Sequence, residues 1–270
     1  MICALGDLLL DVIVRVDGPI SADTDTYGRT AVAPGGQAAN VAAWVAALGG
    51  EARFAGKRAR DPAGRIVAEA LVSRGVDVVG PEVAAGTGTV VSLAGSDGGR
   101  TMLTDRGVAP DLRADELDPR WFACRFLHVP SYSLVRSPIR EAAFEAVRIS
   151  RTGGASVSVD LSSTSSILAY GAERFAVLVS ELRPDVVFGN EAEFALVGAL
   201  DAPTIVVKRG ARGCLVTTGD GSEDRPAKPA TVVDGTGAGD ALAAGFLLGG
   251  ADLGLEAAAR CVATAGGFPP

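Results

Sequence analysis

The sequence is short of the residues on which many active sites depend. Its 270 residues include one histidine, His128, so a histidine-rich metal site is excluded and any Ser–His or Cys–His catalysis would depend on that residue alone. The cysteines are few, far apart and without a CxxC pair: Cys3, Cys124, Cys214 and Cys261. This spacing predicts buried thiols in a reducing compartment rather than a zinc site.

A basic stripe and a long hydrophobic run are also missing. The 25 Lys and Arg residues are scattered and outnumbered by 32 Asp and Glu, which gives a net charge of −7. Such a surface is not expected to bind a nucleic-acid polymer. The apolar N-terminus, MICALGDLLLDVIVRV, has no basic leader and is interrupted by Asp7 and Asp11, so no membrane span is predicted. We expect a soluble, cytoplasmic protein.

What the chain does contain is an alternation of helix and strand patterns from about residue 35 onward. The candidate helices are GGQAANVAAWVAALGG, DPAGRIVAEALVSRG, SPIREAAFEAVRISRTGG, GAERFAVLVSELRPD and DALAAGFLLGGADLGLEAAARCVATAGG. The candidate strands are RFLHV, SVSVDL, DVVFGN and TIVVKRG. This order predicts a single α/β domain over residues 1–270, with a mainly parallel sheet flanked by helices.

Two segments break the alternation. Residues 12–33 contain a strand, a polar loop and a second strand pattern, and residues 87–107 form a hairpin pattern. The sequence Ser96-Asp97-Gly98-Gly99 is the predicted turn of that hairpin. We interpret the two segments together as a small antiparallel flap beside the main domain; an ordinary edge hairpin explains the pattern equally well.

The motif DGTGAGD precedes an Ala-rich helix. Glycines at 235, 237 and 239 let the backbone turn and expose its N–H groups at the positive end of the helix, which favours a bound anion such as phosphate. Asp240 stands at the helix start, where it is equally explained as an N-cap. The P-loop motif is absent, and the glycine spacing fits a dinucleotide fingerprint poorly.

PGGQAAN and GDLLLD supply a second group of candidates. Gly35 and Gly36 allow close approach to the backbone, and Asn40 offers a donor and an acceptor from the first turn of a helix. Asp11 follows three leucines at the end of a strand and is suited to accept hydrogen bonds from paired hydroxyls. A glycine turn with a helix-starting Asn, and a surface aspartate, are the plain alternatives.

GNEAEF and TIVVKRGARG supply the third group. Asn190 and Glu193 stand three apart, either as a helix cap or as a pair that holds hydrated Mg²⁺ at the end of a strand. Lys208, Gly210 and Gly213 lie either in a plain hairpin or along a nucleotide.

In combination and order, these motifs resemble those of the ribokinase-like carbohydrate kinases, the PfkB family. The resemblance covers essentially the whole chain and rests on GDLLLD, GGQAAN, the TDRG after the hairpin, FLHVPSYSL, NEAE, VVKRGARG and DGTGAGD. It implies a doubly wound α/β domain with a small β-sheet lid. It also implies ATP and Mg²⁺ as ligands, with K⁺ in several members.

The resemblance assigns a role to each motif. Asp240 becomes the base on the acceptor hydroxyl, with an anion hole formed by the backbone N–H groups of Gly237, Ala238 and Gly239. The residues placed against the sugar are Asp11, Gly35, Gly36, Asn40 and Arg106. Those placed along the nucleotide are Asn190, Lys208, Gly210, Gly213 and Thr236. Glu193 and Asn190 would organise Mg²⁺ through water, and Asp234 and Thr236 would border a monovalent cation.

Two departures from the family pattern bear on the substrate. Residues 159–163 read VDLSS where many sugar kinases have Asp-Pro-Asn, and the sequence ends with GGFPP, so altered substrate, nucleotide or cation contacts are expected there. A phosphosugar kinase would need basic residues around the acceptor, for which Arg106, Arg29 and Lys57 are candidates. His128 is interpreted as structural.

The resulting hypothesis is an ATP-dependent kinase that phosphorylates a hydroxyl of a small sugar. A nucleoside kinase of the same fold is the first alternative, and a non-catalytic sugar- or nucleotide-binding regulator is the second. A dinucleotide oxidoreductase is a more distant one. The apolar VVSLAG and TMLT segments of the lid predict a homodimer through that sheet.

Overall fold

The computed structural model describes residues 1–16, 18–94 and 100–270. The strands are β1 (Ile2–Leu5), β2 (Leu9–Val16), β3 (Gly28–Gly35), β4 (Ala52–Ala55), β5 (Arg58–Ala59), β6 (Asp77–Val79), β7 (Glu82–Val83), β8 (Thr87–Ala94), β9 (Arg100–Gly107), β10 (Phe126–Pro130), β11 (Ser156–Asp160), β12 (Val186–Asn190), β13 (Thr204–Lys208), β14 (Cys214–Thr218) and β15 (Gly221–Arg225). The α-helices are α1 (Gln37–Ala47), α2 (Pro62–Val72), α3 (Ile139–Thr152), α4 (Thr164–Tyr170), α5 (Ala172–Leu182), α6 (Glu191–Val197), α7 (Ala238–Gly249) and α8 (Ala251–Val262).

The main sheet is mostly parallel, as predicted. Within the described ranges it has nine strands in the order β15-β14-β13-β12-β11-β10-β1-β4-β6. All neighbours from β6 to β13 pair in parallel, and β14 and β15 complete one edge as antiparallel strands. Because β1 lies between β4 and β10, the sheet grows in both directions from the first strand, which confirms the doubly wound fold.

Alternating side chains of each strand enter two different cores. Ile2 and Ala4 pack on one face, in the cluster that contains α1, α2, α7 and α8. Cys3 and Leu5 pack on the other, with α3 and α5. This alternation follows from the two-residue repeat of a strand, and it explains why the central strands are apolar throughout.

All five predicted helical segments are helical, with one correction. Asp61 caps α2 by accepting a hydrogen bond from the Gly64 amide at 2.7 Å, with Pro62 in the first helical position, as the sequence predicts. The last helical segment, taken as one pattern, is two helices. Gly250 separates them with φ of +86°, a conformation that glycine adopts without strain, so the chain turns from α7 into α8 at this residue.

The two segments that break the alternation form a separate four-stranded sheet, in the order β3-β2-β8-β9. This confirms the lid and rejects the edge hairpin, and the lid strands extend beyond 12–33 to Leu9 and Gly35. The pairs β2–β3 and β8–β9 are antiparallel, whereas β2 and β8 pair in parallel at the centre. The predicted turn at Ser96-Asp97-Gly98-Gly99 lies outside the described residues.

The two faces of the lid differ in exposure. The buried residues on the face toward the main domain are Leu9, Asp11, Ile13, Val90 and Ser92. The opposite face carries Val12, Val14, Val32, Val91, Leu93 and Leu103. On that face Val32 is 64% exposed and Leu103 is 55% exposed. The homodimer through this face stays a prediction, which sedimentation of a Leu103→Glu variant against the unchanged protein would test.

Candidate active site

The predicted site residues meet at the carboxyl edge of the main sheet. β11, β12 and β13 end there together, and their register sets Asn190 beside Lys208. Helices α1 and α7 both begin at this edge, beneath the lid. Ligands of open α/β sheets bind outside the carboxyl ends of the strands, and the predicted site residues lie at this edge.

Helix α7 begins at Ala238, two residues before Asp240. Gly237 is the N-cap with φ of +74°, and a Cβ on it would overlap Gly267. Asp240 is therefore the third residue of the helix, and it does not cap it, so that alternative is wrong. The Ala238 amide makes only a long hydrogen bond, 3.4 Å, to the Gly235 carbonyl. The anion hole formed by the N–H groups of this turn stays a prediction.

Asp234, at the other end of the loop, ties it to the last segment of the chain. Its Oδ1 accepts hydrogen bonds from the Thr236 amide at 2.8 Å and the Thr236 hydroxyl at 2.7 Å. Its Oδ2 accepts from the Gly266 amide at 3.0 Å. These contacts fix the position of the loop. The monovalent cation near Asp234 and Thr236 stays a prediction.

Helix α1 also has a glycine N-cap, Gly36. Its φ is +94°, and a Cβ on it would overlap the carbonyl group of Asp7. A Cβ on Gly35 would overlap the carboxylate of Asp11, so the pair of glycines makes room for that side chain. Asp11 is the third residue of β2 and is buried, whereas the sequence placed it at the end of a strand.

Asn40 joins the two helix starts. Its Nδ2 donates a hydrogen bond of 2.8 Å to Oδ2 of Asp240, although the two residues are 200 positions apart. Asn40 is 5% exposed, and its Oδ1 has no hydrogen-bond partner within the described part of the chain. Because buried amide oxygens are normally paired, this atom is suited to accept a hydrogen bond from a ligand.

The electrostatic surroundings of Asp240 differ from those of an exposed carboxylate. Burial raises its pKa to about 7, against the opposing effect of the Asn40 hydrogen bond. Asp160 and Asp11 add to the rise, and the Lys208 ammonium counteracts it. A carboxylate that titrates near the working pH is a better proton acceptor than one with the ordinary pKa of about 4.

Lys208 has a partner that the sequence did not reveal. Its Nζ lies 2.9 and 2.8 Å from the two carboxylate oxygens of Asp160, which is fully buried. Burial alone would lower the pKa of Lys208, but Asp160, Glu193 and Asp240 together raise it, so the side chain remains an ammonium. The motif VDLSS was the only signal for Asp160, as the place where the family pattern departs.

Asn190 and Glu193 form a helix cap. The Asn190 side chain accepts from the Glu193 amide at 2.9 Å, and both Glu193 oxygens accept at 2.8 Å, from the Asn190 amide and from Nδ2. This confirms the capping alternative, and burial raises the pKa of Glu193. No cluster of three or more acidic, cysteine or histidine ligands for a metal occurs in the described ranges. The role of this pair toward Mg²⁺ stays a prediction. Both Glu193 oxygens are already used by the cap, so a contact with the ion through its bound water is more compatible with the structure than direct ligation.

Gly210 and Gly213 belong to the hairpin that joins β13 and β14. Gly213 has φ of +87°, and a Cβ on it would overlap the Arg225 carbonyl, so glycine is required there by packing alone. The nucleotide contacts of both glycines stay predictions. Lys208 points instead toward Asp160 and the start of α7.

The basic residues considered for a phosphosugar are mostly neutralised. Arg106 in lid strand β9 makes two hydrogen bonds to the Asp7 carboxylate, at 2.6 and 2.8 Å. Lys57 pairs with Glu116 at 2.6 Å. Arg29 is exposed in lid strand β3.

His128 is fully buried inside the sheet, where its Nδ1 lies 3.0 Å from the Ser158 hydroxyl. Burial lowers its pKa to about 4, so it is neutral at physiological pH. The structural interpretation of this residue is confirmed. In the described ranges, no helix is long and apolar enough to cross a bilayer.

Comparison with known proteins agrees with this arrangement. The model of the pfkB family of carbohydrate kinases matches residues 1–268. The chain belongs to this family. It is 32% identical to a fructokinase of Klebsiella pneumoniae over 266 residues, which are 92% of this chain and 83% of that protein. The family and this sequence similarity support the prediction that the protein is a carbohydrate kinase.

Two solved structures show the same fold. An adenosine kinase from Sinorhizobium meliloti superposes with a TM-score of 0.89 at 27% identity, covering 99% of this chain and 95% of that one. An E. coli protein assigned as a ribokinase II, solved with ATP and Mg²⁺, has a TM-score of 0.85 at 22% identity, and the match covers 98% of this chain and 94% of that one.

Proposed function

We propose that this kinase transfers the γ-phosphate of ATP to a hydroxyl of a small, uncharged sugar. The observation that carries the proposal is the 2.8 Å hydrogen bond between Asn40 and Asp240. It brings the motif predicted to face the acceptor into contact with the motif predicted to face the phosphate. Such a junction is what a transfer between two bound substrates requires.

Asp240 is the base in this proposal. As the acceptor oxygen forms its bond to the γ-phosphorus, the bond from that phosphorus to the oxygen bridging the β-phosphate breaks, and its electron pair leaves with ADP. The proton of the acceptor hydroxyl passes to Asp240. Because the transition state is loose, the carboxylate has to orient the hydroxyl more than to ionise it early.

The start of α7 supplies the electrostatic part. The amides of Gly237, Ala238 and Gly239, together with the helix dipole, favour the negative charge on the phosphoryl oxygens. Asn190 and Glu193 would hold Mg²⁺ through water, and the ion would neutralise charge on the phosphates. Gly210 and Gly213 would line the nucleotide.

The acceptor side favours a neutral polyol. Asp11 is buried under the lid, and Asn40 presents an unpaired Oδ1, so both offer acceptors to hydroxyl groups. The guanidinium of Arg106 is already neutralised by Asp7, and Lys57 by Glu116. A phosphorylated acceptor would have to replace these ion pairs, and a neutral sugar would not. The similarity to fructokinases supports the same class.

A nucleoside acceptor is the second candidate. It is favoured by the TM-score of 0.89 with an adenosine kinase at 27% identity. A nucleoside presents the same ribose hydroxyls to Asp11 and Asn40, so the hydrogen-bonding groups alone do not separate the two classes.

The deciding experiment is ADP release with Mg·ATP over a panel of pentoses, hexoses, sugar phosphates and nucleosides, with Asp240→Asn as the inactive control. Activity on an uncharged sugar that the variant lacks supports the proposal. Activity on a nucleoside replaces it with the second candidate, and activity on sugar phosphates alone contradicts the neutral acceptor. ATP bound without turnover on any member would favour a regulator.

A further inference from the structure

A buried ion pair lies at the carboxyl edge of the sheet, between strands β11 and β13. Asp160 is fully buried and binds the Lys208 ammonium with both oxygens, at 2.9 and 2.8 Å. The Lys208 side chain is itself only 16% exposed. Burying two charges costs several kcal/mol of solvation, and apolar residues of the same size often stabilise a protein equally well or better. The pair therefore calls for an explanation other than stability.

The position of the ammonium supplies one. A Cβ built on Gly239 would lie 3.1 Å from Nζ of Lys208. The charge thus stands beside Gly239 in the first turn of α7, and it acts electrostatically on Asp240. Glycine at 239 leaves this space open, because any side chain there would contact the lysine.

We propose that Lys208 is the cation that binds the transferring phosphoryl group, and that Asp160 is the positioning residue that holds it against the start of α7. This inference rests on the proposed function and deepens it, since it names a catalytic group and its support. The ammonium supplements the amides of the anion hole as charge builds on the phosphoryl oxygens. Lys208 exchanges no proton in the step; the hydroxyl proton still passes to Asp240.

The pair also acts on Asp240 through two opposite charges. Asp160 raises the pKa of Asp240, and Lys208 lowers it. The other titratable groups near Asp240 are Asp11, Tyr132 and Cys261. Removing one member of the pair at a time should therefore move the Asp240 titration in opposite directions, which a purely structural ion pair remote from the site would not do.

The test compares Asp160→Asn, Lys208→Met and Lys208→Arg. Asp252→Asn is the matched control, because Asp252 pairs with Lys228 at 2.9 Å on the exposed surface. The Asp240 pKa is followed by ¹³C NMR of the side-chain carboxyls, with its signal assigned by its loss in Asp240→Asn. This titration requires no turnover. The same proteins are then assayed for kcat and for KM of ATP, using the acceptor found in the panel.

We expect Lys208→Met to raise the Asp240 pKa and Asp160→Asn to lower it, each by about half a unit or more. We expect kcat/KM to fall about 100-fold in Lys208→Met and about tenfold in Asp160→Asn, with partial recovery in Lys208→Arg. Asp252→Asn should match the unchanged protein in both measurements.

The outcomes separate the two proposals. If the Asp240 pKa shifts in opposite directions in the two variants, but no acceptor is phosphorylated, the charge arrangement is supported and the proposed function is rejected. Suppose that the unchanged protein turns over, but Lys208→Met leaves the Asp240 titration unmoved and lowers kcat/KM less than threefold. This result would overturn the role of the ion pair and leave the proposed function intact. If Asp160→Asn does not fold, the two Lys208 variants still decide.

Discussion

Two helices of this protein begin in the same way, and the proposed function assigns them different ligands. Each has a glycine N-cap with positive φ, +94° at Gly36 and +74° at Gly237, and neither is capped by a side chain. Each glycine lies so close to another backbone segment that a Cβ would overlap it. Each helix also presents a polar side chain from its first turn, Asn40 from α1 and Asp240 from α7.

The difference lies in the charges around the two helix starts. The carbonyl of Asp7 and the carboxylate of Asp11 surround the start of α1, whereas the ammonium of Lys208 stands beside α7. Carboxylates oppose an anion and accept hydrogen bonds from hydroxyls, and an ammonium does the reverse. The same local backbone geometry is therefore compatible with a sugar in one place and a phosphate in the other, and neighbouring side chains decide which.

The largest effect is expected from Asp240→Asn. The amide keeps the size of the side chain but cannot accept the hydroxyl proton, so kcat should fall about 100-fold or more while acceptor binding stays within about twofold. Because burial already disfavours the Asp240 carboxylate, thermal stability should be equal or higher. Steady-state kinetics and a melting curve check both. Near-normal turnover would remove Asp240 from its assigned role.

Asn40→Ala should have the next largest effect, because it separates the two helix starts. Loss of a hydrogen bond to a charged group, about 1.5–3 kcal/mol, predicts a kcat lower by about twentyfold. The Asn40 bond lowers the pKa of Asp240, so its loss should also move the acid limb of the pH profile upward. If neither kcat nor the acid limb of the pH profile changed, Asp240 would be oriented without Asn40.

Replacing each of the two N-cap glycines by alanine sharpens the comparison further. Gly36→Ala should raise the KM for the acceptor, and Gly237→Ala the KM for ATP, each by about tenfold, because strain and overlap of about 1–3 kcal/mol shift the respective turn. Gly49→Ala is the matched control, since Gly49 has φ of +83° with open space around it. If both variants raised the same KM, the two helix starts would not serve different ligands.

Asp11→Asn should have the smallest effect. The substitution retains the buried position under the lid but weakens one hydrogen bond to the hydroxyl groups of the sugar. The KM for the sugar should therefore rise about fivefold, with the KM for ATP unchanged. Initial-rate measurements with each substrate varied in turn give both constants. A rise in the KM for ATP instead would place Asp11 on the wrong side of the site.

The sequence predicted what depends on local pattern. The glycine turns and the capped start of α2 at Asp61 follow from short-range spacing, and the structure contains them. The strand patterns of the lid were equally compatible with an edge hairpin, and only the structure shows that they form one sheet. The site motifs were assigned by resemblance, and Asn40 and Asp240 do meet.

What the sequence did not predict are contacts between distant segments. Asp160 and Lys208 are 48 positions apart, and Asp7 and Arg106 are 99 apart. Asp160 stands in a strand pattern, where its charge has no local signature. These partners follow from the strand order of the sheet and the position of the lid, which a single sequence does not specify.

The most direct test of this account is the pH dependence of single-turnover phosphoryl transfer, measured from about pH 5.5 to 8.5 in the unchanged protein and in Asp240→Asn. With Asp240 as a base whose pKa is about 7, the rate should fall as the pH drops below that value, and the variant should lose this dependence. A phosphate group also titrates, near pH 6, but the pH dependence that it causes would be the same in Asp240→Asn. A profile that is flat, or identical in both proteins, would contradict a catalytic base at the start of α7.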